Sequence, residues 1–248
     1  MKLPNILPIF FLSWAAVKAT PVSKSLKPPY FLLIGDSTVA VRGGWGDGLL
    51  SYLKEPAQGE NRGKSGSTTV SWKANGRWDN LLEALDTYKA DYEPIVTIQF
   101  GHNDQKSMTL EEYRANLKSL VVDIEDAGGV PIVITSLTRR NFENGEVIQD
   151  LKEWRGKAIA VAKEVGVKYL DLNAASTRYI NAIGEEDAAY YNLNGSDGTH
   201  LSPAGEVVFG RMTLDLLLAK RTDLEAYFEP NEELSEKIAR GIFATGDE

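Results

Sequence analysis

Four short apolar runs, residues 30–35, 94–100, 130–137 and 167–172, constrain this chain more than any other feature. Each is rich in Val, Ile, Leu and aromatic residues and is bounded by Gly, Pro or polar residues, the pattern of a β-strand. Their apolar character is nearly continuous rather than alternating. Both faces must therefore be covered, as in a parallel sheet.

The segments between the runs carry a helical period. After Thr109, residues Leu110, Tyr113, Leu117, Leu120, Val121 and Ile124 recur every three or four positions. Thr109 and Glu112 form a capping-box pair in front of them, and Gly128-Gly129 stops the helix. A second helix is expected from about Val147 to Val165, ended by Gly166. A third starts at Ser202, with serine as N-cap and Pro203 in the first helical position. Weaker helices fit residues 48–53 and 78–85. Strand alternating with helix is the signature of a doubly wound α/β sheet, which binds its ligands at the carboxyl ends of the strands.

The chain has 248 residues, 43% of them hydrophobic, and no internal repeat, which suits one large domain. Residues 1–19 stand apart. Lys2 is followed by an almost wholly apolar run from 6 to 17, and Val17 and Ala19 flank Lys18, as in a secretory signal peptide. The run is shorter than the ~20 residues of a membrane-spanning helix, so secretion is expected and a membrane anchor is not. This leaves residues 20–248 as a single domain, with 222–248 as a C-terminal helical extension carrying Leu224, Tyr227, Phe228, Leu234 and Ile238. The absence of cysteine excludes disulfides, thiol nucleophiles and cysteine metal sites. The formal charge is −8, and loss of Lys2 and Lys18 with the leader takes it to −10. Such a charge argues against nucleic acid and anionic membrane as partners. One sequon, Asn194-Gly195-Ser196, offers a glycosylation site. A monomer is the expected state.

The strand ends hold the chemistry. Residues 31–40 read FLLIGDSTVA, so the first strand delivers Asp36 and Ser37. The second ends in FGHNDQ, which contains Asn103, and between them lies the glycine-rich NRGKSGS. Near the end comes SDGTHLSPAG. Only two histidines exist, His102 and His200, and both fall in these segments. A serine nucleophile needs a base to take its proton and an acid to orient that base. Asp197 stands three residues before His200 with a glycine between them, a spacing that lets the carboxylate meet the ring. A developing oxyanion needs donors, and the N–H of Ser37, the N–H of Gly63 and the Asn103 amide can supply three. Gly66 is the rival to Gly63. His102, Asp36 and Asp104 read as structural residues that shape their loops.

Two groups have even readings. Trp45, Trp72 and Trp78 are either core or platforms for sugar rings. Arg42, Lys64, Lys73, Arg77 and Lys106 are either solvated surface or a basic rim for an acidic polysaccharide. The negative net charge would repel such a polymer at long range, so an uncharged ester is the simpler electrostatic fit.

The four blocks GDSTVA, NRGKSG, GHND and DGTHLSPAG, in this order, resemble those of the SGNH, or GDSL, hydrolase family. The GDST, GHND and DGTHLSPAG wording is most similar to its rhamnogalacturonan acetylesterase branch. The resemblance covers most of residues 30–220. Ser37, Gly63, Asn103 and His200 match the four residues that name the family, and Asp197 matches its third triad member. The resemblance implies a three-layer α/β/α sandwich, flavodoxin-like, around a parallel sheet of about five strands. It implies no metal and no cofactor, and a secreted serine esterase that removes acetyl groups from plant cell-wall polysaccharide or from a small ester. The fifth strand should lie just before Gly63, where EPAQGENRG is poor strand sequence. Other readings are a short-chain carboxylesterase or lipase of the same family and a carbohydrate-binding protein without turnover. A two-metal phosphoesterase needs more than two histidines.

Overall fold

Five strands form one parallel sheet: β1 (Pro29–Gly35), β2 (Gln58–Asn61), β3 (Glu93–Gln99), β4 (Val130–Ile134) and, after a separate antiparallel hairpin of β5 (Phe142–Glu143) and β6 (Glu146–Val147), β7 (Lys168–Leu170). The spatial order is β2-β1-β3-β4-β7. The computed structural model describes residues 27–248, so the expected leader over 1–19 lies outside the described residues.

The strand side chains divide between two faces because successive Cβ atoms point oppositely. Phe31, Leu33, Ile95, Ile132 and Ile134 pack against α1 (Gly46–Leu50), α5 (Leu172–Ala188), α6 (Pro203–Leu218) and α7 (Glu232–Arg240). Leu32, Ile34, Val96, Ile98 and Val133 pack against α2 (Arg77–Tyr88), α3 (Leu110–Asp126) and α4 (Lys152–Val165). Helices, sheet and helices make the three expected layers, with every one of these strand residues buried.

The fifth strand lies where it was needed, directly before Gly63. Gln58-Gly59-Glu60-Asn61 pairs with residues 30–33 of β1. It is an edge strand, and polar side chains suit an edge. A Cβ at Gly59 would lie 2.9 Å from the Phe31 Cβ and 2.8 Å from Leu50 Cδ2. Glycine there lets the edge close onto β1.

The capping signals hold. Thr109 and Glu112 form the reciprocal box at the start of α3, and the Ser202 hydroxyl accepts the Gly205 N–H ahead of Pro203. Besides α1, which spans Gly46–Leu50 rather than 48–53, three boundaries differ from expectation. First, α4 begins at Lys152 rather than near Val147, because Val147 pairs with Phe142 across a hairpin whose tip, Asn144-Gly145, has φ of 53° and 83°. Second, β4 ends at Ile134, and residues 135–140 run on as a buried, non-sheet segment. Third, the last apolar run splits: β7 stops at Leu170, and Leu172 opens α5 behind an Asp171 cap. At the C-terminal end, Leu224, Phe228 and Leu234 are buried in the α6 side of the core. Each such side chain contributes roughly 1.5–3 kcal/mol of burial.

Candidate active site

β1 carries the chain past the carboxyl edge of the sheet and turns at once. Only glycine fits at 35, where a Cβ would lie 2.6 Å from the Gln99 carbonyl oxygen. The turn that follows is held from inside. Asp36 is fully buried, and its Oδ1 accepts the Thr38 N–H at 2.9 Å and the Thr38 hydroxyl at 2.8 Å. Gln99 donates to Thr38 Oγ1 and accepts the Trp45 indole N–H at 2.9 Å. The second Asp36 oxygen lies 3.6 Å from His102 Nδ1. Burial pushes the Asp36 pKa up, but His102 and Thr38 outweigh it and hold the carboxyl below its usual range. Asp36 is thus part of the frame, as the sequence suggested.

Ser37 stands on this frame. Its Oγ is 2.8 Å from His200 Nε2, and His200 Nδ1 is 2.8 Å from Asp197 Oδ2. The other Asp197 oxygen accepts the N–H groups of Thr199 and His200, both at 3.0 Å. Burial raises the Asp197 pKa, yet these N–H groups and the His200 ring outweigh it and keep the carboxyl below its ordinary value. An ionised carboxylate therefore faces the imidazole. The segment is pinned at both ends. Leu193 N–H donates to the His200 carbonyl at 3.0 Å, and Leu201 N–H donates to that of Gly43 at 2.9 Å. Gly43 N–H in turn donates to Glu206 on α6 at 2.6 Å.

The expected oxyanion donors differ among themselves. Ser37 N–H meets no acceptor among the described residues. Asn103 Nδ2 donates one hydrogen to the Ser67 carbonyl at 3.1 Å, which leaves the second free. Gly63 N–H is not free: it donates to Asn61 Oδ1 at 3.0 Å, while Asn61 Nδ2 donates to the Val39 carbonyl and to Asp47, both at 2.8 Å. Of the three expected donors, Ser37 N–H and one Asn103 hydrogen meet no acceptor among the described residues, and Gly63 N–H is shared with Asn61. The position of Gly63 nonetheless separates it from Gly66. A Cβ at 63 would lie 2.5 Å from the Ala40 nitrogen and 2.9 Å from the Val39 carbonyl carbon, so this glycine abuts the turn that bears Ser37. A Cβ at Gly66 would meet nothing within 4 Å, and its φ of +77° accounts for the residue type.

Asp104 joins two blocks. Its Oδ1 accepts the Thr69 N–H at 2.8 Å and the Thr69 hydroxyl at 2.6 Å, tying the glycine-rich segment to the Asn103 turn. Burial raises its pKa above the usual carboxylate range. His102 is buried beneath this turn.

The tryptophans resolve toward core. Trp45 and Trp72 are fully buried and cannot serve as sugar platforms. Trp78 is half-buried, with the Lys73 ammonium 4.1 Å from its ring centroid. Nor do the basic residues form one rim. Lys73 pairs with Asp123 at 2.8 Å, and Arg77 donates to the Trp72 carbonyl at 3.0 Å. Arg42, Lys64 and Lys106 are exposed, and Lys106 reaches Asn103 Oδ1 at 3.3 Å. Asn194 of the sequon is exposed. Among the described residues, no three His, Cys, Asp or Glu side chains gather as metal ligands, and no helix is long and apolar enough to cross a membrane.

Sequence reasoning missed two residues, Arg139 and Arg140, in the segment beyond β4. Both are buried, at 8% and 5% exposure. Arg139 pairs with Asp150 and donates to Thr199 Oγ1 at 3.2 Å and to the His102 carbonyl at 3.4 Å. Arg140 reaches the carbonyls of Asp197 and His200. An arginine pair in sequence reads as solvated surface, and nothing local announces its burial.

A Ser–His–Asp chain at the carboxyl edge of a parallel α/β sheet defines the class: an ester hydrolase of the SGNH kind. The chain belongs to the GDSL-like lipase/acylhydrolase family, whose model matches residues 33–208. Among curated proteins it is similar to a rhamnogalacturonan acetylesterase of Bacillus subtilis (strain 168), 30% identical over 76% of this chain and 89% of the relative. It is also similar to the isoamyl acetate-hydrolyzing esterase 1 homolog of Homo sapiens, 31% identical over 80% of this chain and 85% of the relative. Among solved structures, a lipase/acylhydrolase from Enterococcus faecalis shares the fold with a TM-score of 0.57 at 22% identity, covering 82% of this chain and 98% of that one. An acetylxylan esterase from Geobacillus stearothermophilus shares it with a TM-score of 0.58 at 21% identity, covering 79% and 94%.

Proposed function

We propose that this protein is a secreted serine O-acetylesterase that removes acetyl groups from plant cell-wall polysaccharide, in the manner of a rhamnogalacturonan acetylesterase. The observation that carries the reading is the Ser37–His200–Asp197 chain, with 2.8 Å at each link. His200 takes the Ser37 proton as Oγ attacks the acetyl carbonyl, and Asp197 holds the ring in the tautomer that can accept it. Negative charge then develops on the former carbonyl oxygen. Ser37 N–H and the free Asn103 hydrogen receive it, with Gly63 N–H as a donor shared with Asn61. His200 returns the proton to the leaving sugar hydroxyl. A water activated by His200 cleaves the acetyl-Ser37 ester and releases acetate. The leader at 1–19 supports secretion, and the acetylesterase named among the curated relatives supports the acetyl group.

A second reading, a carboxylesterase for small acetate esters, is favoured by the burial of Trp45 and Trp72, which leaves neither as a sugar platform. The name of the human relative supports it as well. The test is acetate release from acetylated rhamnogalacturonan, acetylated xylan and a small acetyl ester, for wild type and Ser37→Ala. Release from a polymer by wild type alone supports the first reading. Release from the small ester alone transfers it to the second. No release from any substrate by folded wild type overturns both.

A further inference from the structure

Arg140, at 5% exposure, is the more buried of the two arginines beside the proposed site, and the mechanism does not use it. Its N–H backbone donates to the Gly198 carbonyl at 2.8 Å. Its guanidinium donates through Nε to Asn192 Oδ1 at 2.8 Å and through one terminal nitrogen to the carbonyls of His200 at 2.6 Å and Asp197 at 3.4 Å. Burial lowers its pKa to about 10, and the Asp197 carboxylate opposes that shift, so it remains a cation at neutral pH. Holding a charge at this depth is costly, and the cost is normally offset by a carboxylate partner. Arg139 has one in Asp150, but among the described residues Arg140 makes no ion pair. One terminal nitrogen is spent on the main-chain carbonyls of Asp197 and His200 and Nε on the Asn192 side chain, while the second terminal nitrogen is buried without any partner among the described residues. A planar fork can bridge two strands of a loop in this way, whereas an ammonium cannot.

The loop is shaped to the arginine. A Cβ at Gly198 would lie 3.1 Å from the Arg140 carbonyl oxygen and 2.5 Å from Asn141 Oδ1, so the chain between Asp197 and His200 runs in contact with this segment. Asn192, which receives Nε, bridges to Leu201 on the far side of His200. The guanidinium thus ties the entry and exit of the 197–200 turn together.

We propose that Arg140 is a positioning residue for the Asp197–His200 pair, setting the approach of the imidazole to Ser37 from beneath the loop. The proposal rests on the reading of Ser37 as nucleophile and His200 as base. It predicts a loss in kcat rather than in KM, because the substrate is not touched. Misplacing a reacting group by about 1 Å can cost on the order of 100-fold in rate.

A polar pocket of about 330 Å³, lined by Arg140, Asn141, Phe142, Glu185, Asn192 and the 195–198 loop, opens beside the guanidinium. It gives a small cation a way in when the side chain is removed, and this supplies the test. Hydrolysis of a small acetyl ester is measured for wild type, Ser37→Ala, Arg140→Ala and Arg140→Lys, each with and without guanidinium chloride at non-denaturing concentration and with urea as control. Folding is checked by thermal melts. Activity in wild type and none in Ser37→Ala establishes the underlying reading independently. Arg140→Ala is then expected to lose about 100-fold in kcat with KM within about twofold, and guanidinium but not urea should restore at least about tenfold. A kcat near wild type, or a loss that guanidinium does not relieve in a folded protein, overturns the proposal. If Arg140→Ala does not fold, Arg140→Lys decides. A kcat about tenfold down at constant KM supports positioning by the fork, and an unchanged kcat refutes it.

Discussion

Replacing Asn103 by alanine separates two contributions that the structure assigns to one amide. One hydrogen of Nδ2 braces the Ser67 carbonyl at 3.1 Å, and the other has no acceptor among the described residues. The brace is an ordinary hydrogen bond to a buried residue, so its loss should cost about 1 kcal/mol and lower Tm by about 2–4 °C in a chain of this size. The free hydrogen acts only when the oxyanion forms. Removing one oxyanion donor typically costs ~10²–10³-fold in kcat. The upper part of that range is expected here, because the Gly63 N–H is already engaged by Asn61 and Ser37 N–H would be the one unengaged donor left. A contact made only in the transition state leaves KM unchanged. Asn103→Asp should be worse than alanine, since a carboxylate would face the developing negative charge. The assay is steady-state hydrolysis of a soluble acetyl ester beside a thermal melt of each variant. A folded Asn103→Ala whose kcat stays within about threefold of wild type, with the expected Tm loss, would show that the amide is a brace alone and would refute the oxyanion role.

Gly63→Ala forces a methyl group to within 2.5–2.9 Å of main-chain atoms of Val39 and Ala40, so both stability and kcat should fall, whereas Gly66→Ala meets open space at φ +77° and should cost only roughly 1–2 kcal/mol of strain with kcat intact. Paired melts and kinetics of the two variants decide which glycine belongs to the site. Trp72→Phe should lower Tm, because it opens a gap in the core and strands the Arg62 carbonyl that accepts the indole N–H at 3.1 Å, while KM for an acetylated polysaccharide stays constant. A raised KM at unchanged Tm would show the ring meeting sugar. Glu248 supplies a pH test. Burial raises its pKa, but Lys237 and the N–H groups of Thr245 and Gly246 outweigh burial and hold it down to about 2, from an ordinary 4.5. Because the folded value is the lower one, its stabilisation is complete above about pH 4.5 and is lost as pH falls toward 2. The urea midpoint of Glu248→Gln should therefore trail wild type near neutrality and converge with it in acid; a gap that widens in acid contradicts the assignment.

The parts of this fold that the sequence announced are those specified locally. β1 and β3 are continuous apolar runs, α3 opens on a capping box, and α6 opens on Ser202-Pro203. Ser37, Asp197, His200 and Asn103 were legible because each sits directly after or before such an element. β2 was not legible in its own residues, since Gln58-Gly59-Glu60-Asn61 has no apolar pattern and owes its place to backbone pairing with β1. α5 was hidden because Leu172 continues the apolar run of β7 and Gly184 kinks the helix near its end. The engagement of Gly63 by Asn61 is a local contact two residues apart, of the Asx-turn kind, that the reading for donors passed over. The burial of Arg139 and Arg140 instead depends on how segments far apart in sequence meet above the sheet, and no local spacing encodes it. The tryptophans were ambiguous for the same reason: an indole near a motif is core or platform according to packing that only the assembled layers decide.

The claim at the centre of this account is that Ser37 carries the acetyl group during turnover. The direct measurement is rapid acid quenching of the enzyme with an activated acetyl ester, followed by mass analysis of the intact chain and of its peptides. The account predicts one added acetyl group on the peptide containing Ser37, absent from Ser37→Ala, and an initial burst of the leaving group matching the enzyme concentration. Steady hydrolysis that persists in Ser37→Ala, or an acetyl group found on another residue with Ser37 unmodified, would contradict it.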